Sequence, residues 1–163
     1  MAKVFVSHKN TDQDLAKRVS ARVQANGFEV YLDAIDPALV RDGPELSDYL
    51  LRRMDECQQL IAVVSSATAG SWWVPWEIGV GSEKGFRMAS FSQSYVKLPS
   101  YLQKWPSLRS MEDVDLYCQH SAHTDQRIRT ATAGVLSESV RLGVRKSRAA
   151  DFHRDLKAAL SRR

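Results

Sequence analysis

No apolar run in the sequence approaches the ~18 residues a helix needs to cross a bilayer, which excludes a helical membrane span from this chain. No secretory leader is expected either, because Met1-Ala2-Lys3 leads straight into the strand-like Val4-Phe5-Val6. Cysteine is scarce. Cys57 and Cys118 cannot form the disulfide framework of a secreted domain, so reduced thiols and a cytoplasmic location are expected. The two common glycine-rich phosphate cradles are absent too: no G-x-G-x-x-G follows a strand, and no G-x-x-x-x-G-K-[ST] occurs. Gly79-Val80-Gly81 falls in or after a helix, the wrong context for holding phosphate. Cys118-Gln119-His120-Ser121-Ala122-His123 lacks the second Cys/His pair of a structural zinc site, so its histidines read as exposed side chains after a helix and no metal is expected.

What remains is an ordinary globular composition, 44% apolar and 26% charged over 163 residues, enough to build one core without metals or disulfides. The net charge of +4 is unevenly spread. Residues 127–163 hold ten Lys/Arg against three Asp/Glu, a net +7 that leaves −3 for the rest. Phe152 is the one Phe, Tyr or Trp among these cations, too few for an interleaved stacking surface, so a solvated helix face is expected and nucleic acid is not.

Val4-Phe5-Val6, Val30-Tyr31-Leu32 and residues 60–64 (LIAVV) are short apolar runs rich in β-branched residues, as in parallel strands covered on both faces. Leu15, Val19 and Val23, with Ala16 beside them, predict an amphipathic helix between the first two, N-capped at Thr11 and closed by Gly27. A second helix follows Asp42-Gly43-Pro44 and buries Leu46, Leu50 and Met54; a third begins near Ser71 or Pro75 and runs through Ile78. Residues 87–91 read as a weak fourth strand, 101–105 as a short helical turn between prolines, and 124–142 and 148–161 as helices. This alternation implies an α/β fold: a three-layer open parallel sheet, flavodoxin-like, with additional C-terminal helices. Residues 1–163 read as one domain, with 3–85 its motif-bearing βαβ core. The 34–43 loop (AIDPALVRDG) is long for such a unit, and long loops are usually functional.

Open parallel sheets bind ligands beyond the C-terminal ends of their strands. Here those ends carry Ser7-His8-Lys9-Asn10, Asp33 and Ser65-Ser66, and the third helix opens with Trp72, Trp73, Trp76 and Glu77. Hydroxyls, cations, aromatics and two carboxylates suit a nucleotide pocket. A phosphoacceptor site is excluded, since Ser65 stands where the chemistry needs an aspartate. Ser7 and His8 make no dyad, because adjacent strand residues face opposite ways.

These residues resemble a known family. Lys3-Val4-Phe5-Val6-Ser7-His8-Lys9 followed by Asp12-x-x-Leu15-Ala16 is similar to the opening of TIR (Toll/interleukin-1 receptor-like) domains. Gly27-Phe28-x-Val30-x-Leu32-Asp33, with a loop ending in Asp42-Gly43, resembles the family's second strand and the loop after it. Residues 60–66 and then Ser71-x-Trp73-Val74-x-x-Glu77 resemble its third strand and W-x-x-x-E segment, particularly of bacterial members.

The resemblance implies NAD+ as substrate, with no cofactor, and Glu77 as catalytic residue. Ser7, His8, Lys9, Asp33 and Trp73 are the implied substrate-binding residues, Lys9 and His8 near the NAD+ phosphates or ribose. Ile35 departs from the acidic residue many enzymatic members carry there. Two partners are implied besides NAD+: a second copy of the chain, met through the 34–43 loop, and a separate effector responding to the product in bacterial anti-phage or stress defence. Residues alone leave open a linear or cyclised ADP-ribose product. They also leave open a non-enzymatic TIR–TIR module and a nucleoside deoxyribosyltransferase-like hydrolase. Chemically, one ionised carboxylate suffices, because nicotinamide leaves as a neutral molecule and the barrier lies in the oxocarbenium-like charge on the ribose.

Overall fold

The computed structural model describes residues 2–32, 43–93 and 95–162. Five strands form one parallel sheet: β1 (Lys3–Ser7), β2 (Glu29–Leu32), β3 (Gln59–Val64), β4 (Arg87–Ser92) and β5 (Ser107–Leu108). Their spatial order is β2-β1-β3-β4-β5, with every neighbouring pair parallel. This is the flavodoxin-like order, and it brings the reversal of winding between β1 and β3. Among the described residues five α-helices cover the sheet: α1 (Gln13–Ala25), α2 (Gly43–Asp55), α3 (Trp73–Glu83), α4 (Met111–Thr132) and α5 (Glu138–Leu160).

The apolar side chains of the strands divide by parity. Val4, Val6, Ile61, Val63, Ala89 and Phe91 join α1, α4 and α5 in one core layer. Phe5, Leu60, Ala62, Val64 and Met88 join α2 and α3 in the other. The expected three layers follow from that division. Leu46, Leu50 and Met54 all lie buried on α2, and Ala16, Val19 and Val23 on α1.

Several expectations need correction. α1 does not start at a Thr11 cap; a 3-10 turn, Asn10–Asp12, leads into it, and the capping position is Asp12. α3 continues to Glu83 through Gly79 and Gly81, because Gly81 sits under Phe86, Leu60 and Met88, where a Cβ would approach Phe86 Cδ2 to 3.2 Å. The C-terminal helices are not 124–142 and 148–161. α4 starts at Met111, set by a reciprocal cap in which Ser110 Oγ accepts from the Asp113 amide at 3.2 Å and Asp113 Oδ2 accepts from the Ser110 amide at 3.2 Å. Gly134, at φ 73°, ends the turn after α4, and Ser137 caps α5 ten residues before the expected start. The Cys118–His123 stretch therefore lies inside α4, with Cys118 buried, rather than after a helix. β5 was not anticipated.

Polar residues explain why α4 was hard to read. Ser121 and Thr124 continue its buried face after Val114, Tyr117 and Cys118. Tyr117 and Ser121 donate hydroxyl hydrogen bonds to Gln59 Oε1 on the sheet at 2.9 and 2.5 Å. Arg87, 2% exposed, lies 2.6 Å from Asp125 of the same helix. Part of the basic C-terminal segment is paired within the fold: Arg127, Arg148 and Arg154 all reach Asp151, and Lys146 reaches Glu83.

Candidate functional site

Strand parity decides what meets at the C-terminal edge of the sheet. Ser7 ends β1 two residues after Phe5, so its side chain points toward the α2/α3 layer. α3 presents Val74, Glu77, Ile78 and Gly81 to the sheet, the i, i+3, i+4, i+7 face of a helix. The two patterns intersect at one contact: Ser7 Oγ donates a hydrogen bond to Glu77 Oε2. Ser7 is 0% and Glu77 1% exposed, so this is a carboxylate drawn out of water, with a hydroxyl supplied to it.

The loop after β3 is organised from within. Ser65 caps the 3-10 turn Ser66–Gly70, its Oγ accepting from the Ala67 amide at 3.1 Å while Thr68 Oγ1 accepts from the Ser65 amide at 2.9 Å. Lys9 Nζ donates to the Ala67 carbonyl at 3.1 Å and ties the end of β1 to that turn. Ser71 Oγ accepts from the Val74 amide at 3.3 Å and steadies the first turn of α3.

Trp73, one turn before Glu77 on α3, is half-buried and meets Trp76 edge to face at 5.8 Å. Both pack against the α2/α3 core layer. Trp72 differs sharply, being 90% exposed at the head of the same helix. His8 turns away from Ser7 and is buried, with Nδ1 3.5 Å from the Val6 carbonyl oxygen. Burial holds its imidazole below the usual histidine range, against smaller upward pulls from the Val6 carbonyl and Asp12. At neutral pH it brings a neutral ring, and Lys9 brings the charge.

Of the six expected site residues, Ser7 and Glu77 touch, Trp73 flanks Glu77 on its helix, and Lys9 and His8 follow Ser7 at the same sheet edge. Asp33 and residues 34–42 of the expected interaction loop lie outside the described residues. Sequence reading missed the far side of this edge. Arg109, just past β5, donates from Nη1 to Ser92 Oγ at 2.8 Å, the Gln93 carbonyl at 3.0 Å and the Val96 carbonyl at 3.1 Å, fastening the chain that leaves β4. No signal could have found it, because a two-residue β5 has no periodicity.

At the opposite edge a groove of about 400 Å³ is lined by Met54, Asp55, Cys57, Lys84, Glu138 and Arg145 among others. Its charges already pair, Lys84 with Asp55 and Arg145 with Glu138. Among the described residues, no three His, Cys, Asp or Glu side chains gather as metal ligands, and no helix is long and apolar enough to cross a membrane.

The sequence profile of the TIR domain family matches residues 4–130. A probable 3′ cyclic ADP-D-ribose synthase, ThsB′, of Bacillus cereus is 32% identical over 79 residues, 47% of this chain. The match spans 41% of that relative's length. Among solved structures, the TIR domains of the activated Roq1 resistosome, which directly recognises the pathogen effector XopQ, align with a TM-score of 0.47 at 15% identity, over 92% of this chain and 84% of that one. A diflavin flavoprotein from Nostoc sp. aligns with a TM-score of 0.43 at 13% identity, over 99% of this chain and 98% of that one.

Proposed function

From the premise that the chain belongs to the TIR domain family, we propose that it is an NAD+-cleaving member, with Glu77 as its catalytic carboxylate. The observation that carries this reading is the desolvated Glu77, hydrogen-bonded to Ser7 at the C-terminal edge of the sheet and flanked on its helix by Trp73. A carboxylate in dry surroundings stabilises a developing cation far better than one in water. Breaking the bond between nicotinamide and ribose creates such a cation and expels a neutral ring, so no second acid is needed. Lys9 supplies charge for a pyrophosphate, and the indole of Trp73 supplies a stacking face and excludes water. With Glu77 1% exposed, a sugar ring reaches it only when the surrounding side chains give way. Assembly with a second copy through the 34–43 loop is the proposed means.

The name of the Bacillus cereus relative favours a cyclised ADP-ribose product over the linear one, and with it a diffusible signal for a separate effector in bacterial defence. Cyclisation needs water kept from the ribosyl cation until a group of the same molecule attacks.

A second reading has one observation in its favour. The burial of Glu77 against Ser7 also suits a purely architectural carboxylate, as in a TIR module that signals by assembly alone. Incubating pure protein with NAD+ at increasing concentration and following nicotinamide separates the two. Release that disappears in a folded Glu77→Ala protein supports the enzyme. Wild-type-like turnover in that variant removes Glu77 from the chemistry, and no release at any concentration favours the module.

A further inference from the structure

We propose that Ser7 is a positioning residue for Glu77, acting through the carboxylate rather than on the substrate. The inference rests on the reading of Glu77 as the reactive group, and it assigns Ser7 a different task from direct substrate contact. A serine hydroxyl has one proton to donate. Here that proton goes to Glu77 Oε2. Ser7 is 0% exposed at the end of a central strand, flanked by β2 and β3, so its backbone is fixed by the sheet and its side chain by burial. The hydroxyl therefore presents a rigid donor, and it anchors one carboxylate oxygen in a set place relative to the rim. A glutamate has three rotatable side-chain bonds, and freezing its head group is what orientation of the reacting carboxylate requires.

The described charged groups nearest this contact are few. His8, Lys9 and Asp12 are the ionisable groups that follow Ser7 after β1, and Lys9 Nζ is bonded to the Ala67 carbonyl. The 3-10 turn Ser66–Gly70 carries no charge, and α3 carries none besides Glu77 until Glu83. On α2, which packs on the same face of the sheet, Glu45 and Asp48 are exposed. Ser7 Oγ donates to the Glu77 carboxylate from within the sheet. Donation to a carboxylate favours its ionised form, so removing the donor makes Glu77 harder to ionise as well as looser.

The test uses the full chain with carbon-13-labelled glutamate carboxyls, the Glu77 signal being identified by its loss in Glu77→Gln. Ser7→Ala deletes the donor without adding volume, and Ser7→Cys keeps a weak one should the alanine variant fold poorly. In folded Ser7→Ala the titration midpoint of Glu77 moves up by about one unit. With NAD+ as substrate, kcat falls about 10–100-fold at nearly unchanged KM, as expected for loss of a charge-assisted hydrogen bond. Ser7→Cys lies between. A merely structural serine would lower the melting temperature and leave the midpoint where it was, and an unmoved midpoint in a folded variant overturns the proposal. A moved midpoint in protein that releases no nicotinamide from NAD+ leaves the hold of Ser7 on Glu77 standing, and overturns NAD+ cleavage instead.

Discussion

His153 makes this fold sensitive to acid in a way that can be worked out from one hydrogen bond. Its Nε2 accepts from the Met88 amide at 2.8 Å, a β4 donor on the side where β5, only two residues long, pairs with Ser90 and Phe91 alone. The imidazole must be unprotonated at Nε2 to accept. Burial, helped by Lys157, Lys104 and Arg87, pushes its pKa down from 6.5 to about 4. A lowered value means the unfolded chain takes up the proton first, so stability is full above pH 6.5 and drains away as pH falls toward 4. The shift corresponds to a limiting loss of about 3 kcal/mol, of which about 2 kcal/mol is gone by pH 5, where most carboxylates remain ionised. Urea unfolding at pH 7.5 and pH 5 measures this directly in wild type and in His153→Gln, whose amide oxygen can take the same bond without titrating. Wild type loses about 2 kcal/mol more than the variant between the two pH values. If both lose stability in parallel, the neutral imidazole on Met88 is not the acid-sensitive element.

Four further outcomes are expected. Glu77→Gln, which keeps the volume but not the charge, lowers nicotinamide release from NAD+ by at least ~10²–10³-fold, and a smaller loss assigns the charge stabilisation elsewhere. Gly85→Ala costs about 1–3 kcal/mol of thermal stability, because φ is 70° and a Cβ would meet Lys146 Cγ at 2.8 Å. Gly27→Ala, at φ 83° with nothing within 4 Å, costs less, and equal losses would show that α5 yields freely. Burial raises both thiols to about 12, so Cys57 and Cys118 resist a disulfide reagent at pH 8 until the protein unfolds; fast labelling of the native state contradicts their packing. Replacing Leu39 and Val40 with aspartate abolishes any rise of specific activity with protein concentration, whereas an unchanged concentration dependence removes the 34–43 loop from assembly.

The sequence by itself determined the first three strands and the residues at their C-terminal ends. Residues 60–64 read as a doubly covered strand, being short, rich in β-branched residues and uninterrupted by polar side chains, and Leu46, Leu50 and Met54 recur at a helix's own period. Those local patterns carry their meaning in nearest neighbours along the chain, so they were legible before any fold was known. The pairing of Ser7 with Glu77 was not, since parity on β1 and phase on α3 have to be combined across 70 residues. Nor was α4. Its inner face runs on through Ser121 and Thr124, which look solvated until Gln59 is seen to receive Ser121, and its partner for the buried Arg87 is an aspartate. Polarity along a chain predicts exposure only on average. Whether a hydroxyl or a charge is inside depends on a partner contributed by a distant segment, and only tertiary structure supplies that partner.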